Sequence, residues 1–290
     1  VQLVQLDRPV IIAGTPRSGK SCVWRLLRES PDFVAVEEPL LIWDAGIAAE
    51  DDRRTADMVT DAIAEHIRRD CSARIASAGK KRYTDNLSHH SLRIGFIHRV
   101  IPEAKVIHVI REATDIMPEL LFGWTNRDTV RGTLGRRWHN LNLRDLRALP
   151  NHAARFLRNY FSSRVSSQRV SWGPRVPGQA EFARIHEVAE IAAHQWACLV
   201  GSALDDLSLL PRDSVLEVRY DELISRPREI AGRIAEFAEV SDVDRIISYA
   251  EENLRTDYIH HEPCRRDLTD DQWEAVAPIT RPVQERLGYL

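Results

Sequence analysis

A chain of 290 residues, 43% hydrophobic and 29% charged, is long enough to bury the core of one large α/β domain or two small ones. Its formal net charge of −3 argues against wholesale nucleic-acid binding, and its four scattered cysteines (Cys22, Cys71, Cys198, Cys264) argue against structural zinc and fit a reduced, cytoplasmic setting. No apolar run approaches the roughly 20 residues that span a bilayer, and Asp7 and Arg8 break up any signal-peptide pattern; a domain cut from a longer, membrane-tethered chain would look the same.

In chain order, Pro9-Val10-Ile11-Ile12-Ala13 is a short apolar run ending at Gly14, as expected of a strand buried on both faces. Cys22 to Leu27 carries helical spacing and stops at Ser30-Pro31. Phe33 to Val36 reads as a second strand closing on Glu37-Glu38-Pro39. A helix is expected from about Ala56 to Ala78, with Val59, Ile63, Ile67 and Ile75 on one stripe. Lys81 to Thr84 reads as a third strand ending at Asp85, and a helix begins at Leu92 and stops near Pro102. Lys105 to Ile110 is a strong strand running straight into Arg111-Glu112. From Thr125 to Arg169 the pattern weakens into intermixed arginines and aromatics, and a long helix is expected from about Ala180 to Leu209, so a helical insertion or lid covers about 125–210. Ser214 to Tyr220 is the last strand, followed by helices over Arg228–Phe237 and from Thr269 to Leu287-Gly288. Strand and helix alternate at short spacing. The expected fold class is α/β, a P-loop-type doubly wound parallel sheet flanked by helices, in a single domain over 1–290.

Gly14-Thr15-Pro16-Arg17-Ser18-Gly19-Lys20-Ser21 satisfies the full G-x-x-x-x-G-K-S pattern between a buried strand and a helix. Glycines let the backbone curl until successive N–H groups point inward, and the helix N-terminus adds partial positive charge there. Thr15, Pro16, Arg17, Ser18, Gly19, Lys20, Ser21 and Cys22 are therefore expected to bind phosphate. Proline and arginine inside the loop, and Arg-Glu after the Lys105–Ile110 strand where a Walker B aspartate belongs, separate it from ordinary nucleotide hydrolases.

With that loop, several further segments make the chain resemble the PAPS-dependent sulfotransferases, in the bacterial branch whose loops read G-T-P-R-S-G. These are Leu92-Arg93-Ile94 with Ile101 to Glu112, Trp172 to Gly178 (W-G-P-R-V-P-G), Val218 to Leu223 with Pro227, and Arg265-Arg266-Asp267-Leu268-Thr269 through Tyr289. The resemblance covers nearly the whole chain. It implies PAPS as sulfuryl donor, PAP as product, a small-molecule or carbohydrate hydroxyl as acceptor, and no metal. It further implies that Arg17 and the N–H groups from Ser18 to Cys22 hold the 5′-phosphosulfate, that Arg111 meets the 3′-phosphate, and that Arg265 and Arg266 bind the nucleotide. Three departures stand out: Lys20 replaces the family's Thr or Ser, Asn86 replaces the lysine of a D-K-T-P-type segment, and Glu119 replaces a serine eight residues beyond Arg111.

The residues alone leave two other readings open. One is an ATP/Mg-dependent small-molecule kinase with Lys20 on the β/γ-phosphates, Ser21 on the metal and Asp85 as base or metal partner; the other is a nucleotide-binding protein without transfer activity. Arg17, Lys20, Glu38 and Asp85 are the catalytic candidates. Glu37, Glu38, Asp85, His89 and His90 all follow strands on the side where open α/β sheets bind ligands, and Glu38, before Pro39, is the first choice of base. Trp124, Trp138, Trp172 and Tyr160 are candidates to line an acceptor pocket. Oligomeric state is open.

Overall fold

The computed structural model describes residues 4–44, 47, 50–126, 172–254 and 267–290. Among them, five segments are strands: β1 (Val10–Gly14), β2 (Phe33–Glu37), β3 (Arg82–Asn86), β4 (Lys105–Ile110) and β5 (Val215–Arg219). All pair in parallel, in the spatial order β2-β3-β1-β4-β5. The helices are α1 (Lys20–Glu29), α2 (Leu40–Asp44), α3 (Asp61–Ala78), α4 (Ile94–Val100), α5 (Ala113–Thr125), α6 (Gln179–Phe182), α7 (Val188–Leu207), α8 (Tyr220–Ser225), α9 (Pro227–Ala238), α10 (Val243–Asn253) and α11 (Asp270–Arg286). The expected α/β fold, a parallel sheet with helices on both faces, is the observed one. No helix among the described residues is long and apolar enough to cross a membrane.

A parallel sheet must be covered on both faces, and the strand sequences provide for it. Alternate residues of β1 enter different cores. Val10 and Ile12, with Ile107 and Val109 of β4, pack against Val23, Leu26 and Leu27 of α1 and Ile230 and Ile234 of α9. Ile11 and Tyr83 meet Ile67 and Cys71 of α3 and Phe96 and Ile97 of α4, while Ala13 and Val106 meet Ala203 and Leu207 of α7. Each such fully buried aliphatic side chain contributes roughly 1.5–3 kcal/mol, so the central strand is the best-anchored element next to the loop it feeds.

Several helix boundaries differ from the sequence expectation for identifiable reasons. The helix expected from Ala56 divides into a 3₁₀ turn at Ala56–Met58 and α3, because Thr60 caps α3 by accepting from the Ile63 N–H. The one expected from Ala180 likewise divides into α6 and α7, where Glu187 and Glu190 form a reciprocal capping box. α10, not anticipated, starts at an Asp242 cap that accepts from the Arg245 N–H. Most of the expected insertion, residues 127–171, lies outside the described residues. The consequential shift is in β3, which runs to Asn86, so Asp85 and Asn86 sit within the sheet beside Ile11 and Ile12 instead of in a following loop.

Candidate active site

The C-terminal ends of β1, β2, β3 and β4 bring Gly14–Ser21, Glu37-Glu38, Asp85-Asn86 and Arg111 to one edge of the sheet, the edge where open α/β sheets hold ligands. The β1–α1 loop is shaped by close approaches. A Cβ on Gly14 would fall 2.5 Å from Ser18 Oγ and 2.8 Å from the Val109 carbonyl oxygen, and one on Gly19 would overlap the Tyr220 ring. Gly19 also adopts φ 90° as it opens α1. The Ser18 N–H donates to the Thr15 carbonyl (3.2 Å) and the Cys22 N–H to that of Gly19 (2.8 Å). The N–H groups of Gly19, Lys20 and Ser21 donate to no described residue. The hydroxyls of Thr15 and Ser18 are enclosed and have no hydrogen-bond partner among the described residues. Buried polar groups are normally satisfied, so these orphaned hydroxyls and N–H groups fit an anion seated in the loop.

Arg17 and Lys20 supply the charge. Lys20 is only 6% exposed, and neither side chain makes a hydrogen bond or ion pair with a described residue. Burial pushes the Lys20 ammonium below the ordinary lysine value of 10.5; the Glu38 carboxylate pulls the other way and the Arg17 guanidinium adds to the depression. Arg17 (φ 67°) and Glu38 (φ 48°) both hold the left-handed backbone that non-glycine residues avoid, at a cost on the order of 1–3 kcal/mol each. Glu38 is fastened to β3 through its N–H, 3.2 Å from the Asn86 carbonyl, and its carbonyl accepts from the Leu40 N–H (2.8 Å). One oxygen of its carboxylate is enclosed without a partner among the described residues. Asn86, where the family pattern carries lysine, places its amide nitrogen 3.4 Å from Ser21 Oγ.

Asp85 is fully enclosed. It accepts from Trp43 Nε1 (2.6 Å), Tyr83 Oη (2.8 Å) and His90 Nε2 (2.9 Å), so both oxygens are engaged by the protein itself. His89 faces Asp52 at 3.5 Å. Burial works to raise the Asp52 carboxyl, yet His89 and Arg175 outweigh it and hold that group well below the usual carboxylate range.

Arg111, immediately after β4, is buried and heavily engaged. Its Nε donates to Asp115, and its Nη1 to Glu119 (2.7 Å) and to the carbonyl of Arg17 (3.0 Å). The guanidinium carbon lies 4.4 Å from the centre of the Tyr220 ring, the same ring that covers Gly19. Burial opposes its charge, but the bonds to Asp115 and Glu119 prevail and keep the group above the ordinary arginine value.

The Trp172–Gly178 segment is pinned over the loop. A Cβ on Gly173 would fall 3.3 Å from Pro16 Cγ. Gln195 of α7 donates to the carbonyls of Trp172 (2.8 Å) and Pro174 (2.7 Å) while accepting from Trp124 Nε1 (3.1 Å). Arg175 donates its N–H (2.8 Å) and Nη2 (2.9 Å) to Asp52. Trp172 is buried in, and Trp124 packs against, the core shared by α5, α7 and α11, whereas Trp138, Tyr160, Arg265 and Arg266 lie outside the described residues. Burial pushes the Cys22 thiol up, which suits a packing role at that position. Tyr220, Asp115, Gln195 and Asp52 were not expected from the sequence. Only Asp115 carried a readable signal, its i, i+4 spacing from Arg111.

Residues 9–163, just over half the chain, match the family described as Sulfotransferase family. No curated protein matches the sequence. Solved structures share the fold. The sulfotransferase domain from the curacin biosynthetic pathway is 12% identical, with 99% of this chain and 99% of that chain covered and a TM-score of 0.54. Sulfotransferase STF9 from Mycobacterium avium is 14% identical, with 98% and 77% covered and a TM-score of 0.51. The sulfotransferase domain of the Synechococcus PCC 7002 olefin synthase is 14% identical, with 100% and 99% covered and a TM-score of 0.51. With the loop, the parallel sheet and the sequence match in agreement, the chain belongs to the sulfotransferase family, enzymes that use PAPS as donor.

Proposed function

We propose that this chain transfers the sulfuryl group of PAPS to a hydroxyl of a small molecule or sugar. The observation that carries the reading is the pair of cations without a partner among the described residues, Arg17 and the buried Lys20, beside open N–H groups and orphaned hydroxyls in one loop. PAPS, when bound, supplies an activated sulfuryl group and leaves as PAP. The N–H groups of Gly19, Lys20 and Ser21, with Thr15 and Ser18, hold the phosphosulfate end, while Pro16 and Cys22 shape the loop. Lys20 meets the charge that builds on the bridging oxygen, in place of the lysine that Asn86 replaces. Glu38 accepts the acceptor's proton. Arg111 is assigned to the 3′-phosphate, and Arg265 and Arg266 to the nucleotide on the resemblance alone.

Asp85, expected as a catalytic group, is reassigned to the scaffold, because both of its oxygens already serve Trp43, Tyr83 and His90 out of contact with solvent. Turnover per folded molecule should survive Asp85→Asn and collapse in Glu38→Gln. For the donor, PAP should raise the melting temperature by mass action without added metal, and EDTA should leave sulfuryl transfer to a hydroxyl panel intact. Stabilisation by ATP–Mg²⁺ alone would overturn the reading in favour of a kinase.

A further inference from the structure

Arg111 has five N–H donors, and the protein has taken three of them: Nε by Asp115, Nη1 by Glu119 and by the Arg17 carbonyl. Tyr220 covers one face of the guanidinium. Only the Nη2 edge remains without a described partner. The cation and its two carboxylates sum to a formal charge of −1, so a phosphate arriving at that edge meets net repulsion where a lone guanidinium would attract it.

The two acids are not equivalent. Asp115 is 37% exposed and sits in the first turn of α5, where the helix dipole favours a carboxylate even after it releases Arg111. Glu119 is 18% exposed, one turn deeper, and has less water to swing into.

We propose that Glu119 is a specificity-determining residue, which by occupying Arg111 removes most of the selection for a nucleotide 3′-phosphate. The inference rests on the assignment of Arg111 to that phosphate and of the β1–α1 loop to the 5′ end. The site accepts nucleotides largely through the loop, and 3′-phosphorylated and unphosphorylated adenosine 5′-phosphates compete on similar terms.

PAP and AMP differ only in the 3′-phosphate, so the ratio of their dissociation constants, measured by calorimetry, reads the effect directly. Wild type should bind the two within about threefold of each other, and Glu119→Gln should raise the preference for PAP by about tenfold or more with AMP affinity unchanged. Asp115→Asn should act in the same direction more weakly, and serves if the Glu119 variant fails to fold. Adding Arg111→Ala to Glu119→Gln should erase the gain. An unchanged ratio in both acid variants, or a wild-type preference for PAP above a hundredfold, overturns the inference while leaving the loop assignment standing. If neither nucleotide binds any variant, the loop assignment fails and takes the inference with it.

Discussion

Two neighbouring parts of this sheet edge treat positive charge in opposite ways. At the β1–α1 loop, Arg17 and Lys20 stand without an ion pair among the described residues, and the carboxylate acting most strongly on Lys20, that of Glu38, lies beyond ion-pair distance. Some 94 residues later, Arg111 donates to the Arg17 carbonyl while Asp115 and Glu119 hold the rest of its guanidinium. A basic residue at the ligand-binding edge of such a sheet is therefore not yet a ligand-binding charge. What matters is whether neighbours have already neutralised it, since a buried guanidinium with two carboxylates has its desolvation offset within the protein, whereas an open one is relieved by an incoming anion.

Lys20→Thr tests the open part most severely. If the ammonium stabilises charge that develops only as the sulfuryl group leaves, turnover should fall on the order of 10²–10³-fold while the donor KM changes little. Full activity in this variant would leave Lys20 without a catalytic role and the contrast between the two parts without a consequence.

A pair of truncations sharpens the contrast. Arg17→Ala removes an uncompensated cation and should weaken PAP by roughly ten- to a hundredfold, about 1.5–3 kcal/mol. Arg111→Ala removes a cation already held by two carboxylates and should cost less than about fivefold. Equal losses, measured by calorimetry under one salt condition, would mean that Asp115 and Glu119 release Arg111 freely.

The smallest expected effect is on pH dependence. Burial keeps the free Lys20 ammonium below 10.5, so it loses its proton earlier than an exposed lysine as pH rises. A bound anion favours the charged form and pulls that proton back. PAP affinity should therefore decline with rising pH through the depressed value, by at most about tenfold per unit for one linked proton, and the decline should vanish in Lys20→Thr. Cys22, which also acts on Lys20, is pushed up by its own burial. A decline that persists in Lys20→Thr would assign the linkage to another group.

The sequence by itself determined the loop and the class of sheet. Both are local: glycine spacing, a buried apolar run and a following helix are written in consecutive residues, and β4 falls on Lys105–Ile110 as its apolar run indicates. It also placed Arg17, Lys20, Glu38 and Arg111 on one edge, because parallel strands deliver their C-terminal ends together. Tertiary structure alone decided which of those charges are available. That Asp85 turns inward depends on β3 extending to Asn86 and on Trp43, Tyr83 and His90 closing over it. That Tyr220 supports both Gly19 and Arg111 depends on β5 lying next to β4, a contact between residues some 200 positions apart in the case of Gly19. Strand identity follows from local pattern, but burial and charge compensation are sums over neighbours that only the fold brings together, and that is why the fate of Asp85, Glu119 and Arg111 could be read only from the packed chain.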